Sequence, residues 1–206
     1  MNKRMLVITG VVLVAVVGVA VIGFIVANDK SKVGNPGAYY GQDADGFSAN
    51  VNPNEHLGTV KVVSVDAVKS GFGNEVTVES AKESGTVNLG ATKSETATYT
   101  VKSPRGDVTF EVDVRTYATA GDLKKSNPFI GAEQAAVEGL PNEAHYLIPY
   151  GQEMLNEQQV ALLTTSGKTA YKFAIVQPTD KILYSVEEAK PILLEIAKQA
   201  KLSEIK

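Results

Sequence analysis

Two acidic residues provide the only spacing in this 206-residue chain that suggests catalysis. Glu111 and Asp113 stand two positions apart in a segment of alternating apolar and polar residues, so a strand there would place both carboxylates on one face. Such a pair suits general acid–base chemistry. Arg115 continues the same face, however, and a row of charged residues along a strand is usually solvated. We therefore predict a solvated stripe rather than a catalytic pair.

The two histidines, His56 and His145, are the other candidates for metal binding or proton transfer. Neither has a second histidine or a carboxylate at the short spacing of common metal-binding motifs, so we predict structural roles for both. The chain contains no cysteine, which excludes a disulfide framework and a thiol nucleophile. No Gly-x-Ser-x-Gly motif, phosphate-binding loop or dinucleotide fingerprint occurs. We therefore expect no enzymatic activity, no catalytic residue, no cofactor and no metal site.

The strongest signal in the sequence is the segment 5–27, whose 23 residues carry no charge. An apolar helix of this length crosses the roughly 30 Å hydrocarbon core of a bilayer. A cleaved signal peptide would have a shorter apolar run, and the best cleavage point, after Ala27, has the bulky Ile25 at a position that favours small residues. Without cysteine, the segment is not a lipoprotein leader. We predict an uncleaved transmembrane signal anchor.

The topology expected for this anchor is a single pass through the cell membrane. Lys3 and Arg4 precede the segment and Lys30 and Lys32 follow it, so the positive-inside bias is weak. A long domain after the first helix is translocated largely regardless of such charges. We predict residues 1–4 in the cytoplasm and the bulk of the chain outside.

Small residues in the outer half of the predicted helix suggest a partner. They are Gly18, Ala20, Gly23 and Ala27. Small side chains let helix backbones approach closely in lipid, where packing drives association. The alternative is that glycine and alanine are simply common in membrane helices. These four residues are candidate partner contacts.

Residues 28–58 have the composition of a linker or a docking arm. Glycine, asparagine, proline and aspartate dominate, and no helical or strand periodicity is present. Three aromatic residues, Tyr39, Tyr40 and Phe47, lie within this segment, and exposed aromatic surface is usually covered by something. They either pack on the chain's own domain or contact a partner.

Residues 59–206 are predicted to form one extracytoplasmic α+β domain, an antiparallel sheet packed by helices. The expected elements, in chain order, are strands at 59–65 and 75–79 separated by a turn at 69–74, a hairpin of strands at 97–102 and 108–117 around the turn at 103–107, a helix at 131–140, a second hairpin at 160–177, and a helix from 185 onward. The 108–117 strand has one apolar and one polar face, which predicts a sheet covered on one side only. Ser185 and Glu188 have the spacing of a capping box, and Pro191 should kink the last helix or shift its start.

Charge excludes one class of partner. All 23 acidic residues follow the predicted anchor, as do all but two of the 20 basic ones, so the body has a net charge of about −5. No basic patch is present, so we expect no nucleic-acid partner.

The order of elements in 97–202 resembles small envelope domains of actinobacteria with a PsbP-like α/β sandwich. The matching features are the turn Gly139-Leu140-Pro141-Asn142-Glu143-Ala144, the strands around Ser166-Gly167, and the alanine-rich helix at 185–202. Members of this group include sensor ectodomains, lipoproteins and accessory subunits. The chain departs from many of them in having a peptide anchor and no cysteine, and the resemblance implies no catalytic residues.

Two functions are therefore expected from the sequence. The first is a non-catalytic accessory subunit of a membrane complex, similar to the small single-pass subunits of the actinobacterial respiratory cytochrome supercomplex. The second is a sensor or binding module that holds a small apolar ligand between helices and sheet. A deep apolar pocket would favour the second, whereas a filled core would count against it.

Overall fold

The computed structural model describes residues 50–152 and 157–202, and most of them belong to an antiparallel sheet or to helices beside it. The strands are β1 (Asn50–Asn52), β2 (Thr77–Val78), β3 (Lys82–Glu83), β4 (Thr86–Leu89), β5 (Thr92–Ser103), β6 (Gly106–Thr116), β7 (Ala144–Gln152), β8 (Glu157–Ser166) and β9 (Thr169–Pro178). The helices are a 3₁₀ turn (Thr59–Lys61), α1 (Val65–Phe72), α2 (Ala120–Lys125) and α3 (Val186–Gln199). Within this part of the chain, no helix has the length and apolar character needed to cross a bilayer, and the predicted anchor lies outside it.

The sheet has the strand order β1-β4-β5-β6-β9-β8-β7, and β2 and β3 both pair with β5. Every strand pair in the described chain is antiparallel. Strand β6 lies in the middle of this order, between β5 and β9. The prediction of an α+β domain built on an antiparallel sheet is confirmed at this level.

Both predicted hairpins form. Strands β5 and β6 pair from Lys93–Thr116 to Ser103–Gly106, around a turn through Pro104 and Arg105. Strands β8 and β9 pair up to Ser166–Thr169, and Gly167 in their turn has φ +60°, a conformation that glycine adopts without strain. In both hairpins the turn residues adjoin long strands, so local signals were sufficient to predict them.

Helix α3 begins where the capping box predicted. The Ser185 hydroxyl accepts a hydrogen bond from the Glu188 N–H, and the Glu188 carboxylate accepts one from the Ser185 N–H at 2.9 Å. The helix continues through Pro191, so the proline does not shift its start. Its buried face is formed by Ala189, Leu193, Ile196 and Ala197.

The main core lies between the helices and one face of the sheet. It is filled by large side chains, including Tyr99, Phe110, Leu162, Phe173, Ile175, Leu193 and Ile196. The Phe72 ring of α1 makes edge-on contacts with Phe110 and Tyr184. The Tyr99 hydroxyl donates to the carbonyl oxygen of Val63 at 2.5 Å, so the polar end of this buried ring is also bonded.

The predicted strand at 59–65 and the turn at 69–74 are wrong, because these residues form the 3₁₀ turn and α1. The valine-rich sequence favours a strand locally. In the structure, however, the buried positions are Val62, Val63, Ala67 and Val68, a helical spacing. Ser64 caps the helix by accepting a hydrogen bond from the Ala67 N–H at 3.1 Å. The strand predicted at 75–79 is present but shorter, and covers Thr77–Val78.

The predicted helix at 131–140 is also wrong. Its backbone instead bonds to β7: the Glu133 N–H donates to the Tyr146 carbonyl at 2.7 Å, and the Val137 N–H donates to the Ala144 carbonyl at 2.8 Å. These long-range bonds replace the local bonds that a helix would make. The helix in this part of the chain is α2, which Thr119 caps through a bond from the Asp122 N–H.

The face of the sheet opposite the helices is not a solvated surface. Ala161, Leu163, Ala174 and Val176 are buried on it, and Lys172 is only 3% exposed. The predicted alternation in β6 is correct, but the expectation that the polar side chains Glu111, Asp113 and Arg115 form a solvated stripe is wrong. Because β6 is a central strand, the side chains of β5 and β9 flank this row on both sides.

Candidate functional site

A buried carboxylate marks the most distinctive polar site in the described chain. Glu95 lies in β5 in register with the core residues Ala97 and Tyr99, and its side chain is 0% exposed. One carboxylate oxygen, Oε2, accepts hydrogen bonds from the N–H groups of Leu57 and Thr59, each at 3.1 Å, and from the Thr59 hydroxyl at 2.7 Å. These bonds satisfy one oxygen of a charge that would otherwise be costly to bury.

The loop before the 3₁₀ turn is shaped to reach this carboxylate. Gly58 has φ +84°, in the left-handed region that favours glycine. The N–H groups on either side of Gly58, those of Leu57 and Thr59, both point to the same oxygen of Glu95. A residue with a β-carbon at position 58 would therefore strain the loop that holds Glu95.

Glu83 supplies a second carboxylate at the same place. It is the last residue of β3 and lies opposite Ala97 of β5. Its Oε1 accepts a hydrogen bond from the Val60 N–H at 3.0 Å. Thus each of the two carboxylates is fixed through one oxygen by the backbone of residues 57–60.

His56 completes a cluster that we call the His56–Glu83–Glu95 cluster. Its Nδ1 lies 2.8 Å from Oε1 of Glu95 and 3.2 Å from Oε2 of Glu83. The hydrogen bond to Glu95 and the negative charges of Glu83 and Glu95 raise the pKa of His56, against the opposing effect of desolvation. The imidazole is 43% exposed, so the cluster opens to solvent on the histidine side.

A second polar cluster lies on the other face of the sheet. Asp113 stands opposite Thr96 of β5 and Lys172 of β9. Its Oδ2 lies 2.5 Å from the Lys172 Nζ, and its Oδ1 accepts a hydrogen bond from the Thr96 hydroxyl at 2.6 Å. We call Thr96, Glu111, Asp113 and Lys172 the β6 polar row.

Glu111 is the unusual member of the β6 polar row. Burial, reinforced by the charge of Asp113 and opposed by Lys172, raises the pKa of Glu111 to about 7. A carboxyl that titrates near neutrality is a property of general acids and bases, although buried charge networks shift pKa values in the same way. A buried oxygen of this carboxylate, Oε2, has no hydrogen-bond partner among the described groups.

Only some of the candidate residues from the sequence lie in the part of the chain that the structure describes. Gly18, Ala20, Gly23, Ala27, Tyr39, Tyr40 and Phe47 lie outside the described residues. Residues 50–58, the end of the predicted linker or docking arm, are described: β1 pairs with β4, and His56 and Leu57 contact the domain through Glu95. His145 lies in β7, where its Nδ1 is 2.9 Å from the Glu133 carbonyl and its Nε2 is 3.0 Å from the Glu143 carboxylate.

The His56–Glu83–Glu95 cluster is not apparent from the sequence. The two carboxylates are 27 and 39 positions from His56, far beyond the spacings of short ligand motifs. One local signal was present: Glu95 alternates with Ala97, Tyr99 and Val101, which places an acid on an apolar strand face. Such a residue is expected to have a bonded partner.

An open cavity of about 320 Å³ lies where the end of α3 meets β8. It is lined in part by Leu140, Asn142, Thr164, Ala197 and Lys201, a mixture of apolar and polar groups. Large buried side chains occupy the space between helices and sheet, where an apolar ligand was expected.

Comparison with known proteins gives no match to this chain: no family model, no curated protein and no solved structure is significantly similar to it.

Proposed function

We propose that this protein is a non-catalytic, single-pass accessory subunit that stabilises a multi-subunit membrane complex through its helix and its extracytoplasmic domain. The observation that carries the proposal is the uncharged segment 5–27 preceding a separate α+β domain. An anchor of this kind holds the domain beside other membrane proteins. It remains uncleaved in this proposal, with its amino terminus in the cytoplasm.

The polar clusters of the domain support a structural rather than a catalytic role. The His56–Glu83–Glu95 cluster joins the 56–60 loop to β3 and β5. The β6 polar row joins three neighbouring strands. In both clusters, hydrogen bonds and ion pairs hold the domain's own elements together, which suits a rigid binding scaffold.

The partner contacts in this proposal come from outside the folded domain. Ala20, Gly23 and Ala27 share one face of the predicted anchor, Gly18 is a further small residue in its outer half, and Tyr39, Tyr40 and Phe47 follow in the linker. The resemblance to actinobacterial PsbP-like domains makes the proposal more specific. In that form, the sheet and helices are a PsbP-like sandwich, and the partner is a respiratory complex of the cytochrome supercomplex type.

The alternative function, a sensor or apolar-ligand module, has less support. The filled core argues against a ligand between helices and sheet. The cavity beside α3 is near the lower end of the size range for small-molecule sites, and its lining is mixed. We therefore retain the accessory subunit as the main proposal.

Purification of the tagged full chain from its native membranes in mild detergent, with crosslinking, tests the proposal. We expect a stoichiometric membrane-protein partner, and recovery of the chain alone would contradict the proposal. Gly23→Leu combined with Ala27→Leu should reduce recovery of that partner by blocking close helix approach. Val21→Leu, on the other side of the predicted helix from Gly23, is the matched control and should retain it.

A further inference from the structure

The three donor atoms of the His56–Glu83–Glu95 cluster have the spacing of metal ligands. His56 Nδ1, one oxygen of Glu83 and one oxygen of Glu95 all lie within 4.8 Å of one another. The two histidine–carboxylate distances are 2.8 and 3.2 Å. In a tetrahedral zinc site with bonds of about 2.0 Å, ligand atoms are about 3.3 Å apart. The two histidine–carboxylate distances are therefore within about 0.5 Å of the spacing that an enclosed ion requires.

The carboxylates are already oriented for this role. Oε2 of Glu95 is occupied by two backbone N–H groups and the Thr59 hydroxyl, which leaves Oε1 facing His56. Oε1 of Glu83 is occupied by the Val60 N–H, which leaves Oε2 facing His56. Hydrogen bonds to the non-ligating oxygens are the typical outer shell of a metal site, because they fix the orientation of each ligand.

We propose that the His56–Glu83–Glu95 cluster binds a divalent transition-metal ion of the Zn²⁺ type. One imidazole and two carboxylates suit zinc, and the two negative charges balance those of the ion. The cation takes the place of the proton that Nδ1 directs at the carboxylates. Because the imidazole is 43% exposed while Glu95 is buried, the ion enters from the histidine side, and a water molecule occupies its fourth position.

The bound ion would link three separate parts of the chain. His56 lies in the loop before the 3₁₀ turn, Glu83 at the end of β3, and Glu95 in β5. This loop follows β1, the first described element of the domain. The ion thus fastens the start of the domain to the sheet. The inference is independent of the proposed function, since it depends only on contacts within the domain.

Zinc titration of the purified full chain in mild detergent, after treatment with a chelator, tests the proposal. We expect one Zn²⁺ per chain by isothermal titration calorimetry. We also expect a rise in Tm on the order of 5–10 °C at a hundredfold excess of zinc over its dissociation constant. Mg²⁺ at the same concentration should produce a much smaller shift, because it prefers six oxygen ligands. The absence of a zinc-dependent shift would overturn the proposal.

Variants of single ligands locate the site. His56→Ala and Glu83→Gln should each weaken zinc binding at least tenfold. His56 is exposed, and glutamine at position 83 retains an oxygen for the Val60 N–H, so both variants should fold, with circular dichroism as the check. His145→Gln and Glu79→Gln are the matched controls and should bind zinc as the natural chain does. Unchanged affinity in His56→Ala would place the ion elsewhere and refute the assignment.

Discussion

Glu95 and His56 lie 2.8 Å apart in the folded domain, although 39 positions separate them in the sequence. Glu95 also accepts three hydrogen bonds from the loop that carries His56. A single buried carboxylate therefore holds this loop against β5. Removing the Glu95 carboxylate should therefore lower the stability of the domain more than removing a carboxylate at the surface.

Glu95→Ala should destabilise the domain strongly. The substitution leaves the N–H groups of Leu57 and Thr59 without their acceptor in a buried site, and we expect a loss of about 3–5 kcal/mol in the free energy of unfolding. Urea denaturation measures this quantity. Glu79→Ala is the control, because Glu79 and its partner Lys102 are each about half exposed, and it should cost less than about 1 kcal/mol. Equal effects of the two substitutions would contradict the role given to Glu95.

Glu111→Gln should change how stability depends on pH. Because the pKa of Glu111 is raised from 4.5 to about 7, the folded chain holds a proton that the unfolded chain releases between these values. Stability of the natural chain should therefore fall as pH rises from about 4.5 to above 7. The glutamine variant lacks this loss and should be more stable than the natural chain by about 1–3 kcal/mol at pH 8.

Urea denaturation at a series of pH values measures the effect of Glu111→Gln. The charges that act on Glu111 are those of Asp113, Lys172 and Glu157, and they remain in the variant. At pH 4 the difference between the two proteins should be small, because Glu111 is protonated in both states. Parallel pH profiles would show that Glu111 is ionised in the folded chain near neutrality.

Glu188→Gln should remove an acid-sensitive contribution to stability. Hydrogen bonds from Arg105 and Ser185 lower the pKa of Glu188 from 4.5 to about 2. The contribution of Glu188 is fully present above pH 4.5 and is lost as pH falls towards 2. Thermal unfolding between pH 2 and 6 should therefore show a flatter profile for the variant. Glu187→Gln, at the adjacent position outside the capping box, should leave the profile as steep as in the natural chain.

Gly71→Ala should loosen the contact between α1 and α3. A β-carbon at position 71 would lie 2.5 Å from the Ile196 Cγ1 and 3.0 Å from the Ile192 carbonyl oxygen. One of the two helices must move, and we expect a loss of about 1–3 kcal/mol. Gly121→Ala in α2 is the control, because its β-carbon meets only the Thr119 hydroxyl at 3.5 Å and alanine favours a helix. Denaturant unfolding distinguishes them, and no loss for Gly71→Ala would contradict the close packing.

The sequence by itself was sufficient for elements whose signals are local. The hairpins around Pro104-Arg105 and Gly167 and the capped start of α3 depend on residues a few positions apart, and all three form. Alternation in β6 likewise predicted its apolar face. The anchor at 5–27 remains a prediction from the sequence, since it lies outside the described residues.

Tertiary structure alone decided the features that depend on distant neighbours. The valine-rich sequence around Val62 favours a strand locally, but it forms the 3₁₀ turn and the start of α1, whose buried side belongs to the main core. The β6 polar row is partly to fully buried because β5 and β9 flank it, and pairing partners are not visible in the sequence of one strand. The His56–Glu83–Glu95 cluster exists only because strand pairing and the Gly58 turn bring three distant segments together. Burial and proximity are properties of the folded chain, and these two properties convert ordinary surface residue types into a candidate site.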